Sequence, residues 1–364
     1  MAISKITSAS ITDATITADD MATGAVEGAM TTQIGGRRNL IINGAMQVAQ
    51  RGASNTSFTL GYAVDRMYLD QFSATGGTHT YQQLSSDPPV GFRNYLRWQR
   101  NSGETATGSM RIYYTGETGA SDGIAGNKLT LSFYARAGAD YSGGVGAVGL
   151  ESRIVTGEGT DQTRSGWANG TWTNQVNDIQ NNTLTTSWQR FTHTLTSACG
   201  NNVSQHAVRF IWNPTGTAGT NDYIEITGVQ LEVGSVATPF EHRSFGEELA
   251  ACQRYYWRFG WPSVHGGQPN VGLGFYLNSA RVDMAIDLPV TMRTNPSIVA
   301  NSGTGYWNAY VNGDDLFNSW SGVNAPTNNT FIIYSTDGLS GSAGNAVLVG
   351  KKDSAASLAA DAEL

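Results

Sequence analysis

DYIEITGVQLEVGSVATPFEHRSFGEELAACQRYYW, residues 222–257, decides how this chain folds. Tyr223, Ile224, Ile226, Val229 and Leu231 form a strand pattern that changes phase at Gly228. A glycine interrupting a strand marks a bulge. SFGEELAACQRYYWRF (residues 244–259) then turns helical. Ser244 stands as N-cap, Glu247 follows three residues later as the other half of a capping box, and Leu249, Cys252, Tyr255 and Tyr256 line one face. A long kinked strand running into one short helix points to β-architecture on both sides of that helix.

Upstream, strand follows strand. Phe92–Gln99, Ser109–Tyr114, Lys128–Arg136, Val145–Val155, Ser187–Leu195 and Ala207–Trp212 read as β, and NLIINGAMQVAQRG (residues 39–52) reads as a strand turned at Asn43-Gly44. With Asp222–Glu232 these make about eight strands without βαβ spacing, the pattern of a two-sheet antiparallel jelly roll. Downstream, Val271–Leu277, Arg281–Leu288, Ser297–Ala300, Gly305–Val311, Thr330–Ser335 and Ala346–Gly350 predict a second, smaller β-sandwich. The end, KKDSAASLAADAEL, reads as a last helical turn or a frayed tail. The expected class is all-β: an arm over residues 1–38, a jelly-roll β-sandwich over 39–243, and a linker helix with a C-terminal β-sandwich over 244–364.

The arm has its own signature. Ile6, Ile11, Ile16, Met21 and Val26 recur every five residues with small or polar residues between. Five fits neither a helix nor a half-buried strand. Isolated anchors at that spacing need other chains, either copies wound together or a groove in another protein.

Composition agrees with many short strands and turns. Charged residues make up 14% against a usual ~25%, and 44 glycines are present. The formal charge is −7 with no basic run, which argues against nucleic acid as a partner. No 18-residue apolar run or signal sequence occurs, so neither membrane insertion nor secretion is expected. Cys199 and Cys252 read as two free thiols.

NLIINGAMQVAQRG followed by GYAVDRMYLDQ (residues 61–71), then TLSFYARAG (130–138), SWQRFTHTL (187–195) and residues 222–257, resemble bacteriophage tail-fibre and virion-associated proteins with a carbohydrate-binding-module-like jelly roll. The resemblance spans roughly residues 39–257, and the five-residue arm resembles their attachment segments. It implies a virion protein, usually a homotrimer, made in the host cytosol. It also implies contact with other virion proteins through the arm and with a host surface glycan. It does not imply catalysis. A tail fibre that binds receptor and a capsid head fibre or decoration protein without a ligand both fit. Sugar-binding relatives carry an acidic residue for structural calcium where this chain has Met46-Gln47, a poorer ligand set. No cofactor and no metal are expected.

For the glycan, Trp167 and Trp172 in GWANGTWTNQVND are the candidate stacking rings, with Asn169, Asn174 and Asp178 supplying hydrogen bonds. Simple loop packing is the competing reading for both rings. Trp307, Tyr310 and Trp320 with Asn308 and Asn312 make a second such set, whereas Trp188 and Trp212 sit in apolar alternation and read as core. Asp65-Arg66 reads as a structural ion pair. The histidines are scattered, and Asp140, Glu151, Glu158 and Asp161 show no spacing that singles out a catalytic pair.

Overall fold

The computed structural model describes residues 38–72, 77–143, 149–259, 270–311, 313–324, 326–353 and 355–364. The arm anchors Ile6, Ile11, Ile16, Met21 and Val26, and also Asn312, lie outside the described residues. The fold is all-β, as expected, and built as two sandwiches.

The first contains β1 (Ser54–Phe58), β2 (Gly61–Tyr62), β3 (Tyr68–Phe72), β4 (His79–Leu84), β5 (Tyr95–Arg100), β6 (Ser109–Thr115), β7 (Leu129–Ala137), β8 (Gly149–Glu158), β9 (Thr173–Thr183), β10 (Gln189–Thr194), β11 (Gln205–Trp212) and β12 (Tyr223–Val233). One sheet runs β1-β4-β5-β12-β7-β10 and the other β2-β3-β6-β11-β8-β9. Strands β5 to β12 therefore follow jelly-roll order, with two added strands beside β5 and two beside β6. Leu131, Phe133, Ile154, Val208, Phe210, Trp212, Ile224 and Ile226 fill the space between the sheets.

The segment over residues 39–52 is a correction. It is a buried turn and not a strand, and Asn43 and Met46 take positive φ. Its role follows from the bulge in β12, where register with β7 shifts between Thr227 and Gln230 around Gly228 at φ 63°. That shift frees the backbone of Val229. Its N–H donates to the Gly44 carbonyl at 2.9 Å, and its carbonyl accepts from Asn39 Nδ2 at 3.2 Å. A Cβ on Gly44 would lie 2.1 Å from the Val229 oxygen, so only glycine fits there. The turn satisfies the polar groups that the bulge exposes.

The capping box at Ser244 and Glu247 is present, and α2 (Phe245–Gln253) follows a shorter five-residue helix, α1 (Arg164–Ala168), between β8 and β9. Cys252 and Tyr255 belong to the first core. The second core begins at Trp257, so the change of core falls after the helix and not at residue 244.

The second sandwich comprises β13 (Tyr256–Arg258), β14 (Asn270–Asn278), β15 (Arg281–Asp287), β16 (Ser297–Ala300), β17 (Trp307–Tyr310), β18 (Asp314–Phe317), β19 (Gly322–Asn324), β20 (Thr330–Ser335), β21 (Ala346–Lys351) and β22 (Leu358–Asp361). A seven-stranded sheet, β18-β17-β21-β14-β15-β20-β19, packs on a three-stranded one, β13-β22-β16. The expected helical or frayed tail is thus the central strand of the small sheet, with Ala356, Leu358, Ala360 and Ala362 buried. Alanine favours helix in isolation, but pairing with β13 and β16 overrides that preference.

The sandwiches meet through charge. Glu363 pairs with the fully buried Arg66 and, at 3.4 Å, with Arg51, which also meets Asp361 at 3.1 Å. Arg254 and Glu117, then Arg293 and Asp161, extend this seam at 2.9 and 3.1 Å. Arg66 therefore answers Glu363 and not its neighbour Asp65, whose carboxylate accepts from the Gln50 side chain at 2.6 Å. Among the described residues no helix is long and apolar enough to cross a membrane.

Candidate functional site

Trp167 and Trp172 are 1% and 4% exposed, so neither ring offers a face to a ligand. Trp167 sits on α1, its ring 5.1 Å from Tyr113 and 6.3 Å from Trp172. Both indole N–H groups are satisfied internally, by Thr115 Oγ1 at 3.0 Å and by the Thr163 carbonyl at 2.9 Å. Gly157 in β8 leaves the space for Trp172, since a Cβ there would lie 2.8 Å from the ring. Of the proposed polar partners, Asn169 is the exposed C-cap of α1, and Asn174 donates to Glu158 at 2.8 Å. Asp178 accepts from His193 at 2.9 Å and from the Thr196 N–H at 2.8 Å. Burial opposes its ionisation, but these bonds outweigh it and hold the carboxyl below its ordinary range. The five residues do not converge, and the loop-packing reading holds for both tryptophans.

The other aromatic assignments divide. Trp212 is core, but Trp188 is only half-buried, edge-to-face with Tyr95 at 5.3 Å. Trp307 is buried, Trp320 packs against it at 5.5 Å, and Asn308 donates to Asp314. Among the described residues of that set, Tyr310 alone is exposed, at 47%.

What the tryptophans build is one wall of a different surface, the outer face of the β2-β3-β6-β11-β8-β9 sheet. Strand register fixes two rows across five strands. One runs Asp70, Arg111, Ile211, Glu151, Asn181, and the next Tyr68, Tyr113, Arg209, Arg153, Ile179. At ~4.8 Å between strands the face is about 20 Å wide. Phe72 and Ile179, 54% and 49% exposed, stand at its two sides. The third row, Thr115, Ala207, Val155 and Asn177, is where Trp167 and Trp172 settle.

The charges on this face are unevenly matched. Arg153 pairs with Glu151 two residues away, and Arg164 of α1 lies 3.9 Å from Asp70 and 3.8 Å from the Tyr68 ring centre. Arg111 donates to the Tyr113 hydroxyl at 3.1 Å and stacks 3.9 Å from Phe72. Arg209 is 6% exposed and has no hydrogen bond or ion pair among the described residues. Burial, then the positive charge of Arg153, pull its pKa down to about 10. Burial likewise raises the Asp70 carboxyl against the pull of Arg111 and Arg164.

The spacing of the tryptophans does not mark this face in the sequence. The signal that would have found it is an arginine inside an apolar strand, three times over: SMRIYY, ESRIV and AVRFIW. Each arginine precedes an inward-facing Ile or Phe, so pairing the strands brings all three to one side.

A separate cleft of about 280 Å³ lies between residues 45–47, 91–93 and 242–245, lined by Phe92, Arg93 and His242. Among the described residues no group of three or more His, Cys, Asp or Glu is placed to hold a metal ion.

No family model and no curated protein matches the sequence. Solved structures do. The bacteriophage CBA120 tailspike protein 4 enzymatically active domain is 10% identical over 54% of this chain and 21% of its own, with a TM-score of 0.34. The match thus spans about a fifth of that tailspike chain. TmCBM61 in complex with β-1,4-galactotriose is 6% identical over 54% of this chain and 99% of its own, TM-score 0.30. The CBM22-1 xylan-binding domain from Paenibacillus barcinonensis Xyn10C is 12% identical over 50% and 94%, TM-score 0.28. Likeness at these values leaves function to the chain's own geometry.

Proposed function

We propose that this chain is a bacteriophage virion protein, a trimeric tail fibre that contacts host-surface glycans and performs no catalysis. The observation that carries glycan contact is the outer face of the jelly-roll sheet, exposed at Phe72 and Ile179 and half-buried at Asp70, Arg111 and Arg153. Sugars are held by several oriented hydrogen bonds together with apolar contact to the ring. Here carboxylate, guanidinium and amide groups are set in register, with Phe72 and Ile179 flanking them. Rigid strands hold those groups better than a loop would. The five-residue repeat of the arm supports self-association, and its anchors are candidates for the trimer contact. Weak single sites would then gain by multivalency.

Binding of the purified full-length chain to a glycan array tests the ligand, and immunogold imaging of virions tests the location. Label on the capsid would favour the head-fibre alternative. An absence of any array signal, with label at the tail, would remove the glycan and leave the structural role.

A further inference from the structure

Arg209 stands out because its surroundings do not explain it. The outward positions before and after it on β11 are Ala207 and Ile211, so the strand tolerates apolar residues there. A buried cation without an anion destabilises the fold that contains it. The rings of Trp167 and Tyr113, 5.5 and 5.9 Å from the guanidinium, compensate weakly at such distances. The nearby carboxylates are engaged elsewhere, Glu151 with Arg153 and Asp70 with Arg164. Three polar atoms here are buried without a partner: the Nε atoms of Arg111 and Arg209, and Asp70 Oδ1. The chain as a whole is acidic, yet this face gathers four arginines against two carboxylates.

We propose that this face is a subsite for an anionic saccharide, whose acid group docks between Arg209 and Arg111 while Asp70 accepts from its hydroxyls. This rests on the glycan reading above and narrows it. Guanidinium meets a carboxylate or sulfate through paired N–H donors, and that geometry suits the planar Arg209 in its fixed position. Phe72 at one side and Ile179 at the other supply apolar surface for adjoining sugar rings. The width of the face suits an oligosaccharide better than one sugar.

Affinity electrophoresis of the full-length chain tests this with four polymers: polygalacturonate, its carboxyl-reduced form, dextran sulfate and dextran. At least one acidic polymer should bind about tenfold or more tightly than its neutral counterpart, and added salt should weaken it. Which acidic polymer binds separates carboxylate from sulfate. Arg209→Met should abolish the preference while raising the melting temperature by a few degrees, since the uncompensated charge is gone. Should that variant fail to fold, Arg111→Gln at its less buried position should still cost several-fold in binding. Equal binding of acidic and neutral polymers overturns the proposal and leaves the glycan reading standing. No binding of any polymer overturns both. A lower melting temperature with unchanged binding in Arg209→Met makes the arginine a packing residue and also overturns the proposal.

Discussion

Single positions in this chain carry unusual weight because backbone approaches backbone. Gly44 leaves no room for a side chain against Val229, and the neighbour is a carbonyl oxygen that cannot rotate away. Gly44→Ala should therefore cost on the order of 3 kcal/mol in denaturant unfolding, and a loss within ordinary surface-substitution range would show that the turn can shift. Asp65 gives a pH-dependent counterpart. Burial raises its carboxyl from 3.8 to about 6 despite the charge of Arg51. The unfolded chain thus releases that proton first. The contribution of Asp65 to stability is complete below about pH 4 and is lost as pH rises through 6. Asp65→Asn should remove a decline on the order of 2–3 kcal/mol across that interval. Melting curves of both proteins from pH 4 to 7 that run parallel would refute the assignment. Neither position was legible in the sequence. Gly44 reads as an ordinary Asn-Gly turn until the bulge at Gly228 is seen beside it, and Asp65 reads as the partner of Arg66 until Glu363 arrives from the far end of the chain.

Among elements, those with apolar alternation were readable and those without it were not. β7, β11 and β12 carry regular inward residues, and their expected spans lie within two residues of the observed ones. The polar strands β1 (SNTSF), β4 (HTYQQL) and β9 (TNQVNDIQNNT) were unread, since β1 and β9 lie at sheet edges and bury little. The same limit misassigned α1 and its tryptophans. A Gly- and Asn-rich segment looks like loop, and nothing local says that Gly157 in β8 has cleared space for an indole. With both rings enclosed, Trp172→Ala should cost about 3–5 kcal/mol and lower the melting temperature. Unchanged melting of the purified variant would return Trp172 to the surface and to the ligand question.

For the whole molecule, the order of the two sandwiches was legible and their joint was not. Charged pairs between residues some 300 positions apart leave no local pattern, and the Ala-rich end hides a central strand. Glu363→Gln leaves Arg66 buried without its anion. That should cost roughly 3–5 kcal/mol and split a single calorimetric transition into two as the sandwiches uncouple. One transition at unchanged temperature would show that the seam contributes little. Removing residues 1–35 should convert the proposed trimer into a monomer by light scattering, and a truncated chain that stays trimeric would move the contact to the sandwiches. The described chain starts with Arg38 and Asn39 donating to Glu241, and Leu40 donating to the carbonyl of Leu231 in β12, a strand with three strands on one side of it and two on the other in its sheet. A pull transmitted along the arm would thus enter at the middle of the sandwich and load several hydrogen bonds in parallel, where an edge strand would unzip them one after another. Were the proposed fibre held by its arm, it would resist force best at the end by which it is held.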